Sequence, residues 1–285
     1  MALNENWFTE ICAEGGSAFS LELKDKIHEE RTAFQLLEIY ETRHFGRLMT
    51  LDGLIMLTDR DNFIYHEMIT HPALFSHPDP KRVLIIGGGD CGSLREVLKH
   101  GGVELAEQVE IDERVTRAAE KYFPELCESN NDPRARFRFT DGIRWVAAAD
   151  PASYDVIIID STDPIGPAAG LFSAPFYASC RRALTAEGIL IAQSESPLFH
   201  LNILKRVHAA MREAGFHDIT TLHFPQCSYP SGWWSTTMAC KHATPQGLRE
   251  HAARQRPFST RYYNAAVHAA AAILPQSIAE ALAKQ

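Results

Sequence analysis

The chain has 285 residues, 45% of them hydrophobic, enough for the core of one large α/β domain with a smaller attachment. Its formal net charge is -8 and its basic residues are scattered, which excludes the electrostatic footprint of a nucleic-acid binder and mildly suits a cationic ligand. The opening MALNENWFTEICAEGG has neither a basic nor an apolar leader segment, and no apolar run approaches the eighteen or so residues of a membrane span, so a cytoplasmic protein without a membrane partner is expected.

The six cysteines (Cys12, Cys91, Cys127, Cys180, Cys227 and Cys240) contain no C-x-x-C pair and are expected as free thiols. The thirteen histidines contain no H-E-x-x-H, and His66 and His71 are five apart, which does not stack two imidazoles on one helix face. No metal site is expected.

Residues 7–58 alternate and turn: SAFSLEL, FQLLEIYET, GRLMTLDG and LIMLTD are short runs broken by Gly, Asp or charge, which predicts a small antiparallel sheet with a hairpin turn at Asp52-Gly53. Residues 61–75 carry helical apolar spacing, and 76–81, with Pro78 and Pro80, form a linker. The expected division is residues 1–60 as an N-terminal β-hairpin domain, 61–80 as helix and linker, and 81–285 as a Rossmann-like domain with C-terminal helices.

From there strand and helix signals alternate, as in a parallel, doubly wound sheet. Strands are expected at 83–86, 108–111, 137–140, 156–159, 189–193, 218–224 and 235–240, the last two as an antiparallel pair at the end of the sheet. By fold analogy this is the seven-stranded arrangement of Rossmann-like methyl- and alkyl-transferases that use adenosyl sulfonium donors. In the tail, Thr244-Pro245 is a helix start, with packing helices expected at 246–254 and 264–274.

The stretch 83–92, VLIIGGGDCG, is an apolar run ending in glycines at G-x-G-x-x-G spacing, followed by helical spacing from Gly92. Such a strand, loop and helix seat an adenosine-type ligand at a strand's carboxyl end. Asp90 inside that loop would repel a pyrophosphate, so it either favours a ligand cationic near the loop or caps the next helix. Glu110, 23 positions beyond Gly87, stands at the next strand end, where an acid either accepts from ribose hydroxyls or is solvated. Asp141-Gly142 ends the third strand, as an acceptor for an adenine amine or as a turn. Residues 155–167, DVIIIDSTDPIGP, bring Asp160 and Asp163 to the same crevice, where two acids can orient a diamine.

Together these stretches resemble the polyamine aminopropyltransferase family, which includes the spermidine synthases. Matching segments include WFTE at 7–10, Phe34-Gln35, LDG at 51–53, DNFIYHEM at 61–68, VLIIGGGD, VEID, Asp141-Gly142, DSTDPIGP, YPSG at 229–232 and RYYN at 261–264, spread over nearly the whole chain. The resemblance implies transfer of the propylamine group of decarboxylated S-adenosylmethionine to putrescine, giving spermidine and 5'-methylthioadenosine. That donor is a co-substrate, so no cofactor is expected. Cadaverine, agmatine or spermidine as acceptor, and putrescine N-methylation, stay open as alternatives.

By resemblance, Gln35, Glu110, Asp141, Gly142 and Pro167 would hold the donor's nucleoside, and Asp90 its ammonium. Asp160 would accept the proton, with Tyr65 and Tyr229 beside the reaction, and His66, Asp163 and Gln193 would complete the amine site, with Trp7 a weaker wall residue. The family is usually dimeric or tetrameric, so a homodimer or homotetramer is expected. Residues 160–175 are expected to close over both substrates. Cys91 stands where the family commonly has Gly and is expected to crowd or shape the donor's sulfonium end; His66 stands where other members have Gln.

Overall fold

The computed structural model describes residues 3–164, 166–242 and 247–284. Five strands, β1 (Trp7–Cys12), β2 (Ser17–Arg31), β3 (Leu36–Thr42), β4 (Arg47–Leu51) and β5 (Leu54–Thr58), form an antiparallel sheet in chain order. The β4–β5 turn is Asp52-Gly53, both with positive φ (49° and 80°), the backbone twist that a two-residue hairpin requires. The long β2 pairs with β1 through its first half and with β3 through its second, with irregular register between Leu23 and Asp25 and again between Lys26 and His28.

Helix α1 (Asn62–Ser76) follows. It is buried nearly all round, including His66, Glu67 and His71, where the apolar spacing alone describes an ordinary one-sided helix. The reason lies in what surrounds it: one sheet on one side, the C-terminal tail on the other. Glu67 accepts the backbone N–H groups of Arg261, Tyr262 and Tyr263 at 2.8, 2.8 and 2.7 Å, so the RYYN segment is anchored by a buried carboxylate.

Seven further strands, β6 (Arg82–Gly87), β7 (Leu105–Glu110), β8 (Ala135–Phe139), β9 (Tyr154–Asp160), β10 (Leu184–Gln193), β11 (His217–Pro225) and β12 (Trp233–Cys240), make the second sheet. Its spatial order is β11-β12-β10-β9-β6-β7-β8, parallel from β10 to β8, with β12 antiparallel to both of its neighbours. This is the expected seven-stranded sheet with its terminal antiparallel pair. The central strands are buried on both faces: Val83, Ile85, Val156 and Ile158 join one core, and Leu84, Ile86, Ile157 and Ile159 the other, the period-2 alternation of a doubly covered sheet.

The connecting helices are α2 (Gly92–Leu98), α3 (Glu113–Tyr122), α4 (Gly142–Ala148), α5 (Ala174–Ala183) and α6 (Leu201–Glu213), and short 3-10 turns occupy Gly166–Phe172 and Pro230–Gly232. In the tail, α7 (Glu250–Arg254) and α8 (Ala265–Ala271) are shorter than expected, and α9 (Gln276–Ala283) starts after Pro275, where the sequence reading had no helix. Thr244-Pro245 lies outside the described residues. Leu37, Ile39, Met49, Leu51 and Leu57 of the first sheet pack on Val115, Ala119 and Phe123 of α3 and the turn after it. That contact sets the small sheet as a roof over one end of the large one. Among the described residues, no single helix is long and apolar enough to cross a membrane.

Candidate active site

Strand order reverses at β6 and β9, which run side by side with Gly87 opposite Asp160, so the loops leaving these two strands diverge and open a crevice. Gly87 has φ 85°, and a Cβ there would collide with the Asp160 carbonyl oxygen; Gly88 N–H donates to that oxygen at 2.8 Å. The glycine turn is therefore folded onto the end of β9 as well as open to a ligand. Roofed by the first sheet, the crevice holds a cavity of about 290 Å³ whose walls include Gln35, Asp90, Glu110, Asp141, Gly142, Asp160 and Asp163.

One end of this cavity is suited to a nucleoside. Glu110 closes β7, its carboxylate accepting the Asp112 N–H at 2.8 Å, and burial pushes it up to about 7. Gln35 reaches in from the β2–β3 turn, and its amide nitrogen donates to Asp112 at 2.9 Å, leaving its carbonyl oxygen for another partner. Asp141 caps α4 by accepting the N–H groups of Ile143 and Arg144 while lying in the cavity wall.

The other end is acidic. Asp90 accepts the Gly92 N–H at 2.7 Å and faces His66 Nε2 at 3.2 Å. Burial raises its carboxyl, but His66 outweighs this and holds it below the usual range; reciprocally, burial lowers His66, and Asp90 more than restores it. Asp160 is gripped by Tyr65 Oη at 2.7 Å and Ser93 Oγ at 2.6 Å, and burial, with Asp90 beside it, lifts it above its ordinary value. Burial likewise raises the Tyr65 and Tyr229 phenols, the latter donating to the Met56 carbonyl at 2.5 Å.

A smaller chamber of about 40 Å³ continues the cavity past Tyr65, Asp163 and Tyr229, which line both; Gln193, Glu10 and Trp234 belong to the further chamber alone. Glu10 of β1 is held by the Ile55 N–H at 2.6 Å, and burial raises it to about 7. Asp163 is raised to about 8 by burial and by Glu195. Glu195, at the end of β10 with φ 68°, is ion-paired with His200 at 2.9 Å, which lifts the imidazole to about 9. This end of the site therefore collects carboxyl groups that hold protons in the absence of a cation.

Some expected site residues lie elsewhere. His66 lines neither cavity; it is 1% exposed and stands behind Asp90, and α2 needs Gly92 because a Cβ there would overlap the His66 ring. Cys91 does not crowd the donor end: its thiol is buried away from both cavities, 3.6 Å from the Gly89 carbonyl. It adopts φ 70°, a left-handed conformation that costs a non-glycine residue about 1 kcal/mol. Trp7 is half-buried on β1 and lines neither cavity. The Pro167 side chain lies outside those described.

Sequence reasoning assigned nothing to Glu10, Ser93, Glu195 or His200. Glu195 had a signal, since it follows the carboxyl end of β10, on the same rim as the other acids; Glu10 had only its place in the WFTE segment, because the docking of the two sheets is what brings it there. Among the described residues, no group of three or more His, Cys, Asp or Glu side chains is arranged to hold a metal ion.

Residues 62–247 match the family model of the spermine/spermidine synthase domain, and residues 6–59 that of the spermidine synthase tetramerisation domain. The chain is 63% identical over 277 residues to a polyamine aminopropyltransferase of Thioalkalivibrio sulfidiphilus, covering 97% of both chains, and 61% identical over 272 residues to one of Nitrosococcus oceani, covering 95% of both. A spermidine synthase solved in complex with the transition state analogue AdoDATO superposes with a TM-score of 0.94 at 34% identity, covering 100% of this chain and 97% of that one. The spermidine synthase of Thermotoga maritima superposes with a TM-score of 0.92 at 36% identity, covering 98% and 94%.

Proposed function

Since the chain belongs to the spermine/spermidine synthase family and is a polyamine aminopropyltransferase, we propose that its donor is decarboxylated S-adenosylmethionine and its acceptor putrescine, giving spermidine and 5'-methylthioadenosine. The observation that carries this reading is the two-chambered cavity: a wide chamber with nucleoside acceptors meets a narrow acidic one, and Asp160 stands in the wide chamber beside Tyr65, Asp163 and Tyr229, which line both.

In this reading the ribose hydroxyls donate to Glu110 and to the free oxygen of Gln35, and Asp141 and Gly142 flank the adenine. The donor's ammonium lies against Asp90, whose charge His66 maintains. The diamine enters the narrow chamber, its far ammonium among Asp163, Glu10 and Gln193, its near nitrogen between Asp160 and Tyr229.

A primary amine with a pKa of about 10.4 is neutral roughly once in 10³ molecules at pH 7, a handicap of roughly 4 to 5 kcal/mol. Asp160 offsets it by taking a proton, and the raised affinity of its buried carboxyl for protons makes it a stronger base than a surface aspartate. The freed nitrogen attacks the carbon next to sulfur; the N–C bond forms as the C–S bond breaks, and its electron pair leaves on the neutral thioether. Positive charge thus moves from sulfur to nitrogen, toward Asp160, in a site where Tyr65 and Ser93 already fix that carboxylate.

Closure of residues 160–175 over both substrates would exclude water, and the roof sheet would serve as the association surface of a dimer or tetramer, as its match to a tetramerisation domain supports. The test is incubation of the purified protein with the decarboxylated donor and a panel of putrescine, cadaverine, agmatine and spermidine. Release of methylthioadenosine fastest with putrescine is the expected result; no release with any amine sinks the proposal.

A further inference from the structure

Cys12 ends β1, where it shares the inward face of the strand with Phe8 and Glu10 while Ile11 points out. The turn that follows packs on the ring of Phe199, so closely that a Cβ on Gly15 would overlap it, and this brings Cys12 against a residue 188 positions later. Cys12 Sγ lies 3.8 Å from His200 Nε2, and the other ring nitrogen, Nδ1, faces the Glu195 carboxylate at 2.9 Å. Gly15 N–H donates to the same sulfur at 3.4 Å. A thiol, an imidazole and a carboxylate therefore stand in series, His200 and Glu195 buried and Cys12 partly exposed. Because Glu195 lifts His200 to about 9, the imidazole is protonated at neutral pH and presents positive charge to the sulfur.

We propose that Cys12 is a site of reversible thiolation by small soluble disulfides, and that the adduct weakens binding of the acceptor amine. His200 takes the Cys12 proton, and the sulfur attacks one sulfur of the disulfide. A new S–S bond forms as the old one breaks, and the leaving thiolate collects the proton from His200. The disulfide is the oxidant: its departing half is reduced to a thiol while Cys12 is oxidised, so no other reagent enters. Gly15 N–H and the imidazolium both favour the charged sulfur before attack. Excess dithiol runs the exchange backwards.

The other five cysteines set the comparison. Cys91, Cys180 and Cys240 are buried, and Cys127 donates to the Asp90 carbonyl at 3.8 Å. Cys227 is exposed, yet its thiol points at the Asp61 carboxylate at 3.3 Å, and burial together with that charge pushes it up to about 11. Exposure alone would select Cys227; the surrounding charge selects Cys12. From Cys12 two short routes lead to the narrow chamber. Glu10 is two residues back along β1, and the Glu195 carboxylate that faces His200 also accepts Gln193 Nε2 at 3.2 Å. Glu10 and Gln193 both line that chamber. A group attached to the Cys12 sulfur displaces His200 and, through it, the residues that wall the amine.

The effect on the acceptor rests on the reading of the narrow chamber given above, and the experiment separates the two. The reduced protein is incubated with glutathione disulfide, the adduct is located by peptide mass spectrometry over time, and KM is measured for putrescine and for the decarboxylated donor. The expected result is an adduct on Cys12 ahead of Cys227, a putrescine KM raised about 10-fold or more with donor KM unchanged, and recovery on adding dithiothreitol. The Cys12→Ser protein should keep the parent's putrescine KM under the same dose. His200→Gln should slow thiolation of Cys12 by about 10-fold or more, as loss of the neighbouring cation requires. Reaction at Cys227 before Cys12 overturns the proposal, and so does an adduct on Cys12 that leaves putrescine KM unchanged. A reduced protein that transfers no aminopropyl group to any amine would sink the reading of the chamber instead, while the order of thiolation would still decide the modification site.

Discussion

At the scale of single residues, the site works by giving chemically identical groups different surroundings. Asp90 and Asp160 are both partly buried aspartates near the glycine turn, yet His66 holds one below its usual range while burial lifts the other. On the proposed mechanism the first stays charged to meet an ammonium and the second is ready to take a proton. Replacing Asp160 by Asn should therefore lower kcat by about 10²- to 10⁴-fold, the usual worth of a positioned base, with donor affinity nearly intact. Steady-state kinetics with a direct measurement of donor binding decide this; unchanged kcat would remove Asp160 as the base. Asp90→Asn should show the reverse pattern, raising donor KM more than it lowers kcat.

Among the elements, α1 links the site to the tail. Its Tyr65 faces Asp160, its His66 supports Asp90, and the next residue, Glu67, holds three backbone amides of the C-terminal segment. Further along, His71 bridges buried Glu96 of α2 and His100 at 3.1 and 3.0 Å, so the helix is tied to α2 and the segment after it by polar contacts inside an aromatic cluster. Truncating Glu67 to Ala would leave those three amides without an acceptor in a buried place. The expected cost is about 2 to 4 kcal/mol of unfolding free energy, measurable by denaturant titration, with early proteolysis of residues 255–284. A variant as stable as the parent would show that water replaces the carboxylate.

For the molecule as a whole, the narrow chamber exists only where the two sheets meet, and its two acids, Glu10 and Asp163, come from β1 and the loop after β9. Their joint titration is a property of that assembly. Glu10 and Asp163, raised to about 7 and about 8, hold protons that the unfolded chain releases near pH 4. Their contribution to stability is thus complete below about pH 4 and is lost as pH rises through 7 to 8. A bound diamine dication reverses that loss by stabilising the ionised acids. Thermal unfolding with and without putrescine should accordingly show a ligand-induced rise in Tm that is larger at pH 8 than at pH 6, and calorimetry should detect proton release on binding. A Tm rise independent of pH would mean that these acids do not face the diamine.

The seven strands and the rim bearing Asp90, Glu110, Asp141, Asp160 and Asp163 were legible in the sequence for a local reason. Each acid lies at or shortly after the carboxyl end of a strand, and parallel strands with right-handed crossovers must place all such ends on one edge of the sheet. The Asp52-Gly53 turn was legible because its backbone needs are met within two residues. What could not be read is what depends on groups distant in the chain. His66 lies behind Asp90 and not on the cavity wall because α1 packs against α2 at Gly92; Glu10 joins the narrow chamber because the roof sheet docks on α3; α1 is buried nearly all round because a tail almost two hundred residues later covers it. Helical and strand periods report which side of an element is apolar. They carry no information on which polar side chain a remote segment will bury, and in this protein those remote contacts decide which acids keep their protons.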